Sequence, residues 1–288
     1  MELLLFFLLG GIISVMSGFF GIGGGFLLTP ILMLIGYSPL EAITTSLLFT
    51  IGTSLSGITA HIRLKNVLWK EGLILGLSGM AATQLARPFV LFLGSKGWDE
   101  WAIPLFYMIL LSYFAITMLR QGKGRHEERA SIVSTSIIKM ILIGLFAGMV
   151  STTLGVGGGF IMVPLSIAFL GIQPKKAVGT SLFAILLIVS VGFLSYAFTI
   201  SIDYRIGLLL VAGGLIGSQF GARLTGLYEN KEISFLLSGL YIATLLSVGL
   251  KLAGLSFVGL FLLAAFIVLF FTRTFIKIKA GKIQSTGS

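Results

Sequence analysis

The chain has 288 residues, of which 56% are hydrophobic and only 10% charged, with a net charge of +10 and no cysteine. A soluble domain carries roughly 25% charged residues, so too few polar groups remain here to clothe a water-facing surface. Disulfides, thiolate metal sites and thiol relays are excluded. No basic soluble segment exists to bind nucleic acid, and the surplus of Lys and Arg reads instead as loop charge in a membrane protein.

The first apolar stretch follows Met1-Glu2 directly, with no basic region before it, which argues against a cleavable leader. It is interrupted by Gly21-Ile22-Gly23-Gly24-Gly25. The flanking pieces, Leu3 to Ser17 and Phe26 to Ile35, are each shorter than the ~20 residues a crossing needs. Ordinary spanning helices are predicted near 43–60, 71–94 and 101–119. Runs such as Ile103 to Leu119 are apolar on every side, which rules out the alternation of a transmembrane barrel. A polar linker, 120–135, is followed by a second Gly-interrupted stretch and helices near 178–199, 205–226 and 233–250. An extra helix at 251–273 and a basic cytoplasmic tail at 274–288 complete the reading.

The two stretches 1–119 and 136–250 are repeats of one another. Ser17-Gly18-Phe19-Phe20-Gly21-Ile22-Gly23-Gly24-Gly25-Phe26 returns as Ser151-Thr152-Thr153-Leu154-Gly155-Val156-Gly157-Gly158-Gly159-Phe160. Pro39 to Leu47 returns as Pro174 to Leu182, and Gly79 to Leu85 as Gly214 to Phe220. Glycine-rich apolar segments resemble one another in general, but that does not account for three matches in the same order.

Two topologies are open: each Gly-interrupted region crosses once as a broken helix, or dips in and returns as a hairpin. With hairpins, all of the 20 basic residues except Arg87, Lys96, Arg205 and Lys251 fall on one side. With single crossings they divide evenly. Cytoplasmic loops accumulate Lys and Arg, so the predicted fold is an all-α integral membrane protein of two inverted repeats. Each repeat is a Gly-broken re-entrant hairpin plus three helices, with the N-terminus outside and the C-terminus in the cytoplasm of a multi-pass cell-membrane protein.

Irregular backbone at membrane depth is tolerated only where protein buries it or a cavity receives it. A helix beginning at such a turn offers unpaired N–H groups and partial positive charge, which attract anions. Gly23, Gly24 and Gly25 with Gly157, Gly158 and Gly159 are therefore candidates to frame one central anion site, as in transporters with converging broken helices. Gly76, Gly79, Gly213, Gly214 and Gly217 read instead as helix-packing positions. Matched polar residues complete the candidate set: Thr45-Ser46 with Thr180-Ser181, and Gln84 with Gln219, the latter pair equally suited to interhelical hydrogen bonds. Arg87 sits within an apolar stretch, where it suits either oxyanion contact or reach toward the interface.

These doubled Gly signatures, each followed by a proline and then a Thr-Ser helix start, resemble the sulfite exporter TauE/SafE family over about 1–250. The resemblance implies a secondary transporter of sulfite, organosulfonates or related sulfur oxyanions. The extra helix lies beyond the family's two-half core. The cysteines of thiosulfate-importing relatives are missing here, which disfavours that chemistry. No nucleotide-binding loop is present, and no cofactor or metal is expected. The expected partners are the anion, the bilayer and protons as a candidate coupling ion, with Glu41, His61, Glu71 and Asp203 as titratable groups that otherwise suit the interface. A passive channel is the nearest alternative. An intramembrane enzyme lacks a nucleophile–base pair, since His61 and His126 are the two histidines.

Overall fold

The structure is a computed structural model that describes residues 2–123 and 136–286. Residues 124–135 of the predicted linker, and the last two of the tail, lie outside the described residues. The described chain is helical throughout, and nine of its helices are long and apolar enough to cross a membrane.

The first half holds α1 (Glu2–Phe20), α2 (Gly25–Leu34), α3 (Pro39–Arg63), α4 (Trp69–Ser95) and α5 (Asp99–Lys123). The second holds α6 (Ile137–Leu154), α7 (Gly159–Leu170), α8 (Pro174–Ala197), α9 (Tyr204–Leu224) and α10 (Asn230–Leu252). The final helix, α11, runs Ser256–Thr286 and so carries helical structure well into the predicted tail. The starts follow local chemistry. Ser38 and Glu41 form a capping box ahead of Pro39 at the first turn of α3, and Asp203 accepts from the Arg205 and Ile206 amides to begin α9.

One expectation needs correction. The first arm of each hairpin is not a half-helix: α1 has 19 residues and α6 has 18. Gly18 lies inside α1 rather than ending it, and the helix stops only where Gly21 turns to φ 66°. Only the second arms are short, at 10 residues in α2 and 12 in α7. The matched stop in α6 is Gly155, at φ 70°.

The halves interlock instead of lying side by side. The long arm α1 packs on α9 of the other half, and α6 packs in the same way on α4. Both contacts are close because they are lined with glycine. A Cβ on Gly10, Gly18, Gly213, Gly217 or Gly221 would strike backbone across the α1–α9 seam. Gly144 and Gly148 lie as tightly against Leu75 and Gly79 in the α4–α6 seam. Contacts fix the relative directions of the helices. Gly52 meets Val211 and Gly57 meets Ser218, so α3 and α9 run parallel; Gly72 meets Phe183 and Gly76 meets Leu187, so α4 and α8 do too. Successive helices alternate, and α3 and α8 are therefore antiparallel.

The extra helix breaks the pseudo-symmetry. Phe270 of α11 packs on Phe19 and Phe20, beside the first Gly turn, with ring centroids 5.0 and 5.6 Å apart. Lys277 pairs with Glu232 and stands over the Tyr228 ring, and the Tyr228 hydroxyl meets Thr274 at 2.9 Å. Most of the rest of α11 is exposed, with Phe257 and Phe261 outward, as befits a lipid-facing helix.

Gly148→Leu is expected to cost about 3 kcal/mol or more through overpacking the α4–α6 seam. Gly226→Ala, where nothing approaches, should leave stability unchanged. Thermal unfolding of both variants in detergent checks the contrast.

Candidate functional site

The two Gly turns meet. A Cβ on Gly25 would strike the Gly155 carbonyl, and one on Gly159 would strike the Gly21 carbonyl and the Ile22 backbone. Between them stand two matched side chains from the antiparallel pair, Thr50 of α3 and Ile185 of α8. The methyls of both approach Gly23 and Gly157. All residues of both turns are buried.

Reciprocal hydrogen bonds hold the crossing. The Tyr107 hydroxyl of α5 donates to the Phe26 carbonyl at 3.1 Å, and the matched Tyr241 of α10 donates to the Phe160 carbonyl at 2.7 Å. Ser181 donates to the Gly21 carbonyl at 2.6 Å, and Thr29 to the Gly155 carbonyl at 3.2 Å. Rings pack over the centre: Phe26 against Phe160 at 5.2 Å, and Tyr107 stacked on Phe160 at 6.3 Å.

The short helices α2 and α7 both begin here, but their first amides differ. The Gly25 N–H donates to Thr50 Oγ1 at 2.7 Å, so it is not unpaired as the sequence suggested. At the matched place in the second half stands Ile185, whose methyl touches Gly159 and cannot accept a hydrogen bond.

The other candidates divide. Ser181 belongs to the crossing, while its repeat equivalent Ser46 is buried in α3 with no partner for its hydroxyl. Thr45 is buried in α3, and Thr180 accepts from the Leu68 amide at 2.9 Å, tying the α3–α4 loop to the start of α8. Gln84 bonds Ser195 at 3.0 Å in the last turn of α8, and Arg87 bonds Thr199 at 2.9 Å just past its end. Gln219 lines an open pocket of about 340 Å³ with Leu215, Ile216, Phe220 and Arg223 on the outer side of α9. The structure therefore does not bring Gln84, Gln219 or Arg87 to the Gly turns.

His61 departs from the expected interfacial setting. It is fully buried, and its Nε2 lies 3.0 Å from the Gly18 carbonyl, near the end of α1. Glu41 and Asp203 act as helix caps, and Glu71 stands in the first turn of α4.

Sequence reasoning missed Thr50, Thr53, Ser54, Tyr107 and Tyr241. The tyrosines were legible as a matched pair in the aligned halves. The hydroxyls were legible as a mismatch, since α3 carries Thr50, Thr53 and Ser54 where α8 carries Ile185, Ile188 and Val189.

Residues 6–252 match the family described as sulfite exporter TauE/SafE. The chain belongs to that family. Among curated relatives, the probable membrane transporter protein YunE of Bacillus subtilis is 28% identical over 81% of this chain and 92% of its own length. A probable membrane transporter protein of Methanocaldococcus jannaschii is 28% identical over 82% of this chain and 91% of its own length. YdhB, a probable membrane transporter protein of Bacillus subtilis, is 31% identical over 78% of this chain and 89% of its own length. No solved structure matches the chain significantly. The buried crossing described above therefore lies within a chain of a membrane-transporter family.

Tyr107→Phe and Tyr241→Phe each strand a buried carbonyl acceptor. Each is expected to destabilise by about 1–3 kcal/mol, and by similar amounts, because the two bonds are pseudo-equivalent. Unfolding midpoints of the two variants measured side by side test this.

Proposed function

We propose that this protein is a secondary transporter of a small sulfur-containing anion, sulfite or an organosulfonate, across the cytoplasmic membrane. It works by alternating access of two inverted halves around the crossed Gly turns, in the direction of export. The observation that carries this reading is the crossing itself. Two helix N-termini, one from each half, open at one buried point, where partial positive charge and close backbone approach suit an anion. Gly23 to Gly25 and Gly157 to Gly159 frame that point, with Ser46 and Ser181 beside it. Inversion is supported by the antiparallel course of α3 and α8 and by the one-sided loop charge. The complete burial of both turns favours a carrier, which exposes its site alternately, over an open pore. Proton coupling is one candidate energy source, with His61 its buried titratable group.

Proteoliposomes loaded with sulfite, sulfate, thiosulfate or an alkylsulfonate, with and without a pH gradient, test the reading. Saturable flux of at least one sulfur anion is expected, with loss of at least about tenfold in Gly24→Leu and Gly158→Leu. No flux of any sulfur anion would sink the substrate assignment. Retained flux in both variants would remove the turns from the path.

The cysteine-free sequence makes topology directly testable by single-cysteine labelling in intact cells. Lys65→Cys and Lys176→Cys are expected to be protected from a membrane-impermeant thiol reagent, and Lys96→Cys and Arg205→Cys to react. Opposite results for Lys65 and Lys176 would overturn the inverted arrangement.

A further inference from the structure

The side of α3 toward the Gly turns brings Phe49, Thr50 and Thr53 against Gly23 to Gly25, and Ser46 and Ser54 stand one turn before and one turn after Thr50, stacked with it at four-residue spacing. The direction of this row is fixed at the middle by the Thr50 bond to the Gly25 amide. At the ends the repeat supplies the placement: Ser46 is the equivalent of Ser181, which bonds the Gly21 carbonyl, and Ser54 of Val189, which lies beside Gly157. Ser46 and Ser54 are completely buried, and neither hydroxyl has a hydrogen-bond partner. A buried hydroxyl without a partner costs about 1–3 kcal/mol. Space does not demand it, because α8 fills the place of Ser54 with Val189 and that of Thr50 with Ile185. Two stranded donors flanking the start of α2 describe a site that is complete only when a ligand accepts from them.

The donors are all neutral. Among the described residues no Lys or Arg is wholly buried; Arg87, whose Nε is buried without a partner, bonds Thr199 just past the end of α8, roughly 20 Å of helix rise from Ile185. Neutral hydroxyls and a helix terminus can compensate one buried negative charge, but the cost of desolvation rises steeply with a second. Opposite the row, Ile185 and Val189 present only methyl groups to the same space.

Building on the transport reading above, we infer that Ser46, Thr50, Ser54 and the Gly25 amide bind a monovalent oxyanion, with its donor-free side against Ile185 and Val189. Thr50 Oγ1 now accepts from the Gly25 amide and donates to the Ser46 carbonyl at 2.7 Å; a ligand oxygen takes its place on that amide as the hydroxyl turns to donate to the ligand. Methanesulfonate and sulfate separate the classes cleanly: both are tetrahedral at sulfur, one singly and one doubly charged.

The experiment measures saturable thermal stabilisation of the purified full chain by methanesulfonate, hydrogen sulfite and sulfate, against chloride. Methanesulfonate or hydrogen sulfite is expected to stabilise the protein, at concentrations at least about tenfold below any sulfate effect. Ser54→Ala removes a hydroxyl that bonds nothing, so it should leave ligand-free stability intact or raised while weakening the ligand about tenfold. Thr50→Val should weaken it likewise, and Thr50→Ser should restore it. Sulfate binding as tight as methanesulfonate, unchanged affinity in Ser54→Ala and Thr50→Val, or no stabilisation of the unsubstituted chain by any of these oxyanions would each overturn the inference. Transport without these effects leaves the carrier reading standing alone, and binding with these effects but without flux leaves the site standing without the carrier.

Discussion

In hydrocarbon a backbone amide or carbonyl finds no water, so every break in a helix at membrane depth must be answered by another part of the protein. This chain makes two such breaks, at Gly21 to Gly24 and at Gly155 to Gly158, and answers each with the other. The carbonyls freed by one turn lie against the glycines of its counterpart. Ser181 and Thr29 take up the Gly21 and Gly155 oxygens, while Tyr107 and Tyr241 reach in from α5 and α10 to the Phe26 and Phe160 oxygens. The tyrosine bonds stay within one half, but take away either half and the other loses the hydroxyl that caps its turn, Ser181 on Gly21 or Thr29 on Gly155. The glycine-lined seams of α1 on α9 and α6 on α4 follow from the same need, because they hold the long arms deep enough for the turns to meet.

Much of this was legible before any coordinates. Length and periodicity placed α3, α4, α5 and their counterparts to within a few residues, since an apolar run bounded by Pro, Asp or a loop leaves few alternatives. The repeat exposed the pairing of the two Gly turns. What failed had physical reasons. The first arm was expected to stop at Ser17, but α1 runs on through Gly18, which serves the α1–α9 contact, to Phe20. Gln84, Gln219 and Arg87 looked like site residues because polar groups at depth are costly. They meet that cost elsewhere, at the end of α8 and on the outer side of α9, which sequence position alone cannot distinguish. His61 looked interfacial from its place near a helix end, yet the end of α1 covers it.

The hydroxyls of α3 were visible only as a departure. A repeat draws attention to what its halves share, while Thr50 and Ser54 matter because Ile185 and Val189 differ from them. Fold is carried by the agreement between the halves, and chemical direction by their disagreement. α11 adds to that disagreement, since it presses Phe270 onto the Phe19–Phe20 side of the first turn.

The exchange of long arms also bears on how the protein is made. The partner of α1 is α9, which leaves the ribosome only after all of α2 to α8. Until then α1 rests in the bilayer with Gly10, Gly18 and their flanking backbone uncovered, a face adapted to close approach and open to any other helix with small residues. The pairing of α6 with α4 needs no such wait, because α4 is already in place when α6 arrives. Assembly of the second hairpin thus precedes that of the first, and the lifetime of the unpaired α1 sets the interval in which the chain is exposed to mispairing and to quality control.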